Sequence, residues 1–87
     1  MTHSLLVKLN DNIKDKDIDL RRMFAREDDD NKGYVPFYAF RGCIEKINQG
    51  ISDEDFLKLD NKYKSKGKDG KNIYKYEEFI NDVFNVR

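Results

Sequence analysis

The stretch "DDDNKGYVPFYAF", residues 28–40, decides how the chain is read. Three aspartates, an Asn-Lys pair and one glycine, Gly33, make a polar loop that ends in Tyr34 and Val35. Pro36 stands where a helix would begin, a place where a missing N–H does no harm. Beyond it Phe37, Phe40, Ile44 and Ile47 recur at three- and four-residue steps, which predicts a helix over 36–47. Upstream, "IDLRRMFARE" (18–27) puts Leu20, Met23 and Phe24 on one face, with Asp17 as a cap. The unit is helix, loop, helix.

A second such unit follows. Ser52 with Asp55 three residues later, close to a capping box, starts a helix through Tyr63 whose stripe is Phe56, Leu59 and Tyr63. Its acidic first turn suits the positive end of the helix dipole. A lysine-rich loop comes next, and Ile73 and Tyr74 lead into a helix with Tyr76, Phe79, Ile80, Val83 and Phe84 inward. Val35 and Ile73 precede the two exit helices, and Phe40 and Phe79 open corresponding turns. Ahead of both units, "SLLVKLNDNI" (4–13) carries Leu5, Leu6, Leu9 and Ile13 at helical spacing, with Ser4 as a possible cap and "KDKD" (14–17) as a turn.

Composition narrows the possibilities. With 87 residues, 39% charged and 38% hydrophobic, there is room for one economical core. Six Phe and five Tyr can supply much of it. A net charge of zero gives no global field toward nucleic acid or membrane, so neither is expected as a partner. No apolar run is long enough for a transmembrane helix, and the start lacks a signal-peptide cleavage site. A single cysteine, Cys43, cannot form an internal disulfide. The expectation is a soluble, cytoplasmic chain. An enzyme is the least supported class: the one histidine, His3, has no partner, and no acid–base pair or phosphate loop is present.

Calcium loops deliver six to eight oxygens from alternate positions, with a glycine at the turn and a glutamate on the exit helix. Residues 17 to 87 resemble an EF-hand pair, the calmodulin-type lobe. On that resemblance Asp28 and Asp30 match the first and third ligand positions, Gly33 the turn and Val35 the bridge between loops. Lys32 and Ala39 depart from it at the fifth and twelfth positions, removing an oxygen and the bidentate carboxylate. In the second half Lys64, Lys66 and Lys68 fall at the first, third and fifth positions, Gly70 at the turn, and the loop is two or three residues too long. Three ammonium groups repel a dication, so this loop is expected to bind no calcium. The "LLxKLxxxI" helix ahead of "LRRMF", then "FR" and "GISDEDF", is similar to calcyphosin-like proteins and to EF-hand modules of ciliary and other cytoskeletal assemblies.

The resulting fold expectation is all-α: an N-terminal helix plus two helix-loop-helix units joined by a short two-stranded bridge through Val35 and Ile73 or Tyr74. One domain covers 1–87, with the extra helix and turn at 1–16, the first unit at 17–48 and the second at 51–87. The functional expectation is a non-catalytic interaction or structural module, calcium-independent or weakly calcium-binding, cytoplasmic and in a cytoskeletal or axonemal setting. No cofactor is expected, or at most calcium held weakly by Asp28, Asp30 and the carbonyl of Tyr34. The plain reading of that loop is solvated acid. A protein partner, such as an amphipathic helix, would meet Leu5, Leu9, Met23, Phe40, Ile44 and Phe84. Lys64, Lys66 and Lys68 belong to a segment, 62–75, with six Lys and one Asp, hence a local charge of +5. That segment either grips acidic surfaces or is simply solvated. Two further readings stay open: a calcium sensor working through the first loop, and a binder of acidic surfaces through the lysines. The Leu5–Ile13 stripe either packs on its own domain or docks on another protein.

Overall fold

A computed structural model describes residues 2–86. The predicted span of 1–87 exceeds it at residues 1 and 87, which lie outside the described residues. Five helices and three short strands follow one another: α1 (Thr2–Asp15), α2 (Leu20–Glu27), β1 (Val35–Pro36), α3 (Phe37–Ile47), α4 (Asp53–Tyr63), β2 (Lys64–Lys66), β3 (Asn72–Tyr74) and α5 (Tyr76–Phe84).

The all-α expectation is overturned. The strands form a three-stranded antiparallel sheet in the order β1-β3-β2, so the domain is mixed α/β. The expected bridge is part of it, with Val35 opposite Tyr74 and Pro36 opposite Ile73. The unforeseen part is β2, where Lys64, Ser65 and Lys66 pair with Tyr74, Ile73 and Asn72. The extra length of the second loop is the cause. The chain leaves α4 extended, reverses through Gly67–Gly70 and returns as β3. Gly67 N–H donates to Lys71 O at 2.8 Å and Gly70 N–H to Gly67 O at 3.0 Å. Gly70 sits at φ +81°, a conformation that disfavours any residue with a Cβ.

Local chemistry sets most helix ends. Ser52 Oγ accepts the Asp55 N–H at 3.1 Å, as the capping signal predicts. Asp19, not Asp17, caps α2 by accepting the Arg22 N–H, while Asp17 lies in the left-handed region at φ 54°. α1 begins at Thr2, ahead of the predicted Ser4 cap, and Pro36 ends β1 rather than opening α3.

The core is largely aromatic. Phe24, Phe40, Tyr74 and Phe79 have no exposed surface. Phe40 stacks on Tyr74 with centroids 4.5 Å apart and planes 9° apart. Phe24 stacks on Tyr76 at 5.2 Å and 2°. Phe79 meets Phe24, Phe40 and Tyr63 edge-on. Such pairs add stabilisation beyond their buried area. α1 lies on its own domain against α3, α4 and α5, burying Leu5, Leu6, Leu9 and Ile13. Asn10 Nδ2 donates to Val83 O of α5 at 3.0 Å, and Lys16 Nζ reaches the C-terminal carbonyl of Ile47 on α3. Phe84, read as inward, and Phe37, on the apolar stripe of α3, are about half exposed, at 49% and 45%.

Candidate functional site

The loop between α2 and α3 closes on itself through Asp28. Its Oδ1 accepts the Lys32 N–H at 2.8 Å, and its Oδ2 accepts the Gly33 N–H at 2.7 Å and the Tyr76 hydroxyl at 2.6 Å. Gly33 makes the turn at φ +90°. Burial pushes the Asp28 carboxyl up, but the Tyr76 hydroxyl, the two N–H donors and the Lys32 charge outweigh it and hold the pKa below its ordinary 3.8. Burial also raises Tyr76, and with the hydrogen bond to Asp28 carries it to about 12. A tyrosine hydroxyl from α5 thus sits on the carboxylate that heads the loop.

The same device appears twice more. Tyr74 of β3 donates to Asp60 of α4, and Tyr63 of α4 donates to Asp82 of α5 at 2.8 Å. Burial first, and the carboxylate partner second, raise both phenols well above 10. Three Tyr–Asp pairs therefore join α4 to α5, α4 to the sheet, and the first loop to α5. Arg21 of α2 and Glu77 of α5 add an ion pair at the surface. Hydrogen bonds to charged acceptors are the stronger kind.

In the first loop the side chains matched to ligand positions are engaged within the chain. Both Asp28 oxygens already hold donors. Asp30 is exposed and paired with Lys32 Nζ at 3.4 Å, and that ammonium also stands 5.7 Å from the Tyr34 ring centroid. Ala39, at the closing position, is buried and offers no oxygen. Among the described residues no group of three or more His, Cys, Asp or Glu is gathered closely enough to hold a metal ion. Cys43 is buried in α3, and burial foremost pushes its thiol up to about 11, so it is not a poised nucleophile.

Most of the apolar residues expected to meet a partner share the core rather than an open face. Leu5, Leu9, Phe40 and Ile44 lie inside the core, Met23 is partly buried against it, and only Phe84 is open. α1 itself packs over α3, α4 and α5. The lysines are also divided. Lys64 Nζ pairs with Asp60 at 3.5 Å, and Lys62 with Asp82 at 3.6 Å. Lys64 and Lys66 occupy β2 at the sheet edge, where exposed ammonium groups discourage pairing with another strand. Lys66 Nζ turns to the Gly70 carbonyl at 3.3 Å.

An open groove of about 580 Å³ lies between the hairpin and the start of α3. Pro36, Phe37 and Tyr38 form one wall, and Lys66, Lys71 and Asn72 the other. A second groove of about 380 Å³ adjoins it across the sheet and includes Tyr34 and Lys68. The sequence reading does not single out Lys71 or Tyr38, and it places Phe37 only on the apolar stripe of the third helix. Lys71 was visible as one more charge of the run, but the aromatics come from the other loop and reach the lysines only through the β1–β3 pairing.

Compared with protein-family models, with curated proteins and with solved structures, the chain has no match. Among the described residues no helix is long and apolar enough to cross a membrane.

Proposed function

We propose that the chain is a metal-independent, EF-hand-like lobe that works as a non-catalytic protein–protein interaction module. One observation carries this reading: Asp28, which would be the first calcium ligand, has its carboxylate satisfied from within by Lys32, Gly33 and Tyr76. Where a calcium loop draws its turn together around an ion, this one uses backbone N–H groups and a phenol. Two helix-loop-helix units joined by the Val35–Tyr74 pairing support the family reading. Membership of a cytoskeletal or ciliary assembly in the cytoplasm is part of the proposal and rests on the resemblance of the sequence layout.

The test is far-UV circular dichroism and thermal melting in EGTA and in millimolar calcium, with titration calorimetry alongside. The expected result is the same helical spectrum and melting temperature in both, and no micromolar calcium binding. A chain that is unstructured in EGTA and gains helix with calcium refutes the proposal.

A further inference from the structure

The groove between α3 and the β2–β3 hairpin combines two features. Its walls bring two ammonium groups, Lys66 and Lys71, next to exposed aromatic rings, and no carboxylate lines it. Among the described residues, neither lysine has an acidic side chain within ion-pairing distance, whereas Lys62 and Lys64 of the same run do. The aromatic wall is open: Tyr38 is 75% and Phe37 45% exposed, among the few large apolar side chains left in water. Phe37 is also held in place, leaning on Phe56 at 5.8 Å and on Tyr74 at 6.1 Å. The floor is fixed by the strand pairing, since Asn72 pairs with Lys66 on one side while β1 stops short of it on the other.

We propose that this groove is a docking site for an acidic protein segment that carries an aromatic or aliphatic anchor. Charge complementarity selects the acid: Lys66 and Lys71 are uncompensated, and carboxylates would reach them at the rim. The anchor follows from Phe37, Tyr38 and Pro36, because apolar rings beside cations would gain nothing from a bare anion. A nucleic acid is the lesser fit. The chain has no net charge, and only two lysines line the groove, too few to track a phosphate backbone. No residue of α1 lines the groove. The inference rests on reading the chain as an interaction module, but not on the absence of calcium from its loop.

The experiment is a selection, in EGTA and about 100 mM salt, from a random twelve-residue peptide library displayed on phage, followed by fluorescence anisotropy with the enriched peptides. Enriched peptides should be rich in Asp and Glu with one aromatic or aliphatic residue. Their affinity should fall with added salt. Lys66→Glu with Lys71→Glu should weaken binding by at least roughly tenfold, and Tyr38→Ala by roughly fivefold, given that like charges in an interface are strongly unfavourable and anchors dominate affinity. Lys75→Glu makes half that charge change at an exposed position outside the groove and should cost less than about threefold. Because all these side chains are exposed, folding is checked simply by an unchanged circular dichroism spectrum. The proposal is overturned if the enriched peptides are not acidic or none is enriched. It is overturned equally if Lys75→Glu weakens binding as much as the groove variants, or if a twelve-nucleotide oligothymidylate binds more tightly than the best peptide. Circular dichroism in EGTA precedes the selection: a chain unfolded there refutes the metal-independent lobe alone, and the selection is then run in millimolar calcium under the same criteria for the groove.

Discussion

Tyr76→Phe isolates the contact on which the metal-free loop depends. The substitution keeps the ring, and with it the stack on Phe24 at 5.2 Å and 2°, so packing is preserved. It removes one hydroxyl, which donates to Asp28 Oδ2 at 2.6 Å across a sequence separation of 48. A hydrogen bond to a charged group contributes about 1.5–3 kcal/mol, and its loss leaves a buried carboxylate short of a donor. The expected cost at pH 7 is therefore about 2 kcal/mol, a shift of about 2 M in the urea midpoint at a slope near 1 kcal/mol/M. The cost should depend on pH in a definite direction. Asp28 has a native pKa below its ordinary 3.8, so the stability it contributes is present above that value and is lost as pH falls through the native pKa. Removing the hydroxyl takes away a cause of the lowering. The gap between wild type and variant should thus be full at pH 7 and clearly smaller at pH 3. Urea unfolding followed by circular dichroism in EGTA at the two pH values measures it. A cost below about 0.5 kcal/mol at pH 7, or an equal cost at both pH values, would show that the hydroxyl does not hold the loop.

Three other outcomes follow from the same structure. Raising the pH should unfold the domain steeply: Tyr63, Tyr74 and Tyr76 have raised native pKa values, so their contribution is intact below about pH 10 and disappears as pH rises through those values. With three protons held by the native state, stability should fall by up to about 4 kcal/mol per pH unit, read by phenolate absorbance and circular dichroism changing together. Leu9→Ala, at a fully buried α1 position, should cost about 2–5 kcal/mol in urea unfolding, and a near-zero cost would mean that α1 does not pack on its own domain. Ser52→Ala should cost about 1 kcal/mol through loss of the α4 cap, with Ser52→Gly closer to wild type.

Features governed by local chemistry were legible in the residues alone. Apolar periodicity located all five helices, Ser52 announced its own cap, and Val35 with Ile73 or Tyr74 marked the bridge between the loops. Gly33 and Gly70 marked the turns because a positive φ is a property of one residue. The third strand was only half legible: the Asp69-Gly70 pair between Lys64–Lys66 and Asn72–Tyr74 is a hairpin signal, but the alternate lysines read as loop positions instead. Which residues meet across the fold was set by the packing of distant elements. Whether Phe37 faces in or out depends on what packs over the start of α3, and whether Leu5 and Leu9 meet a partner or their own core depends on where α1 comes to rest. The fate of Asp28 is the plainest case: an aspartate in a loop could bind an ion or a hydroxyl, and the answer lies 48 residues away on α5. Periodicity and capping are written in neighbouring residues, whereas the satisfaction of a buried charge depends on which distant groups the folded chain brings within hydrogen-bonding reach.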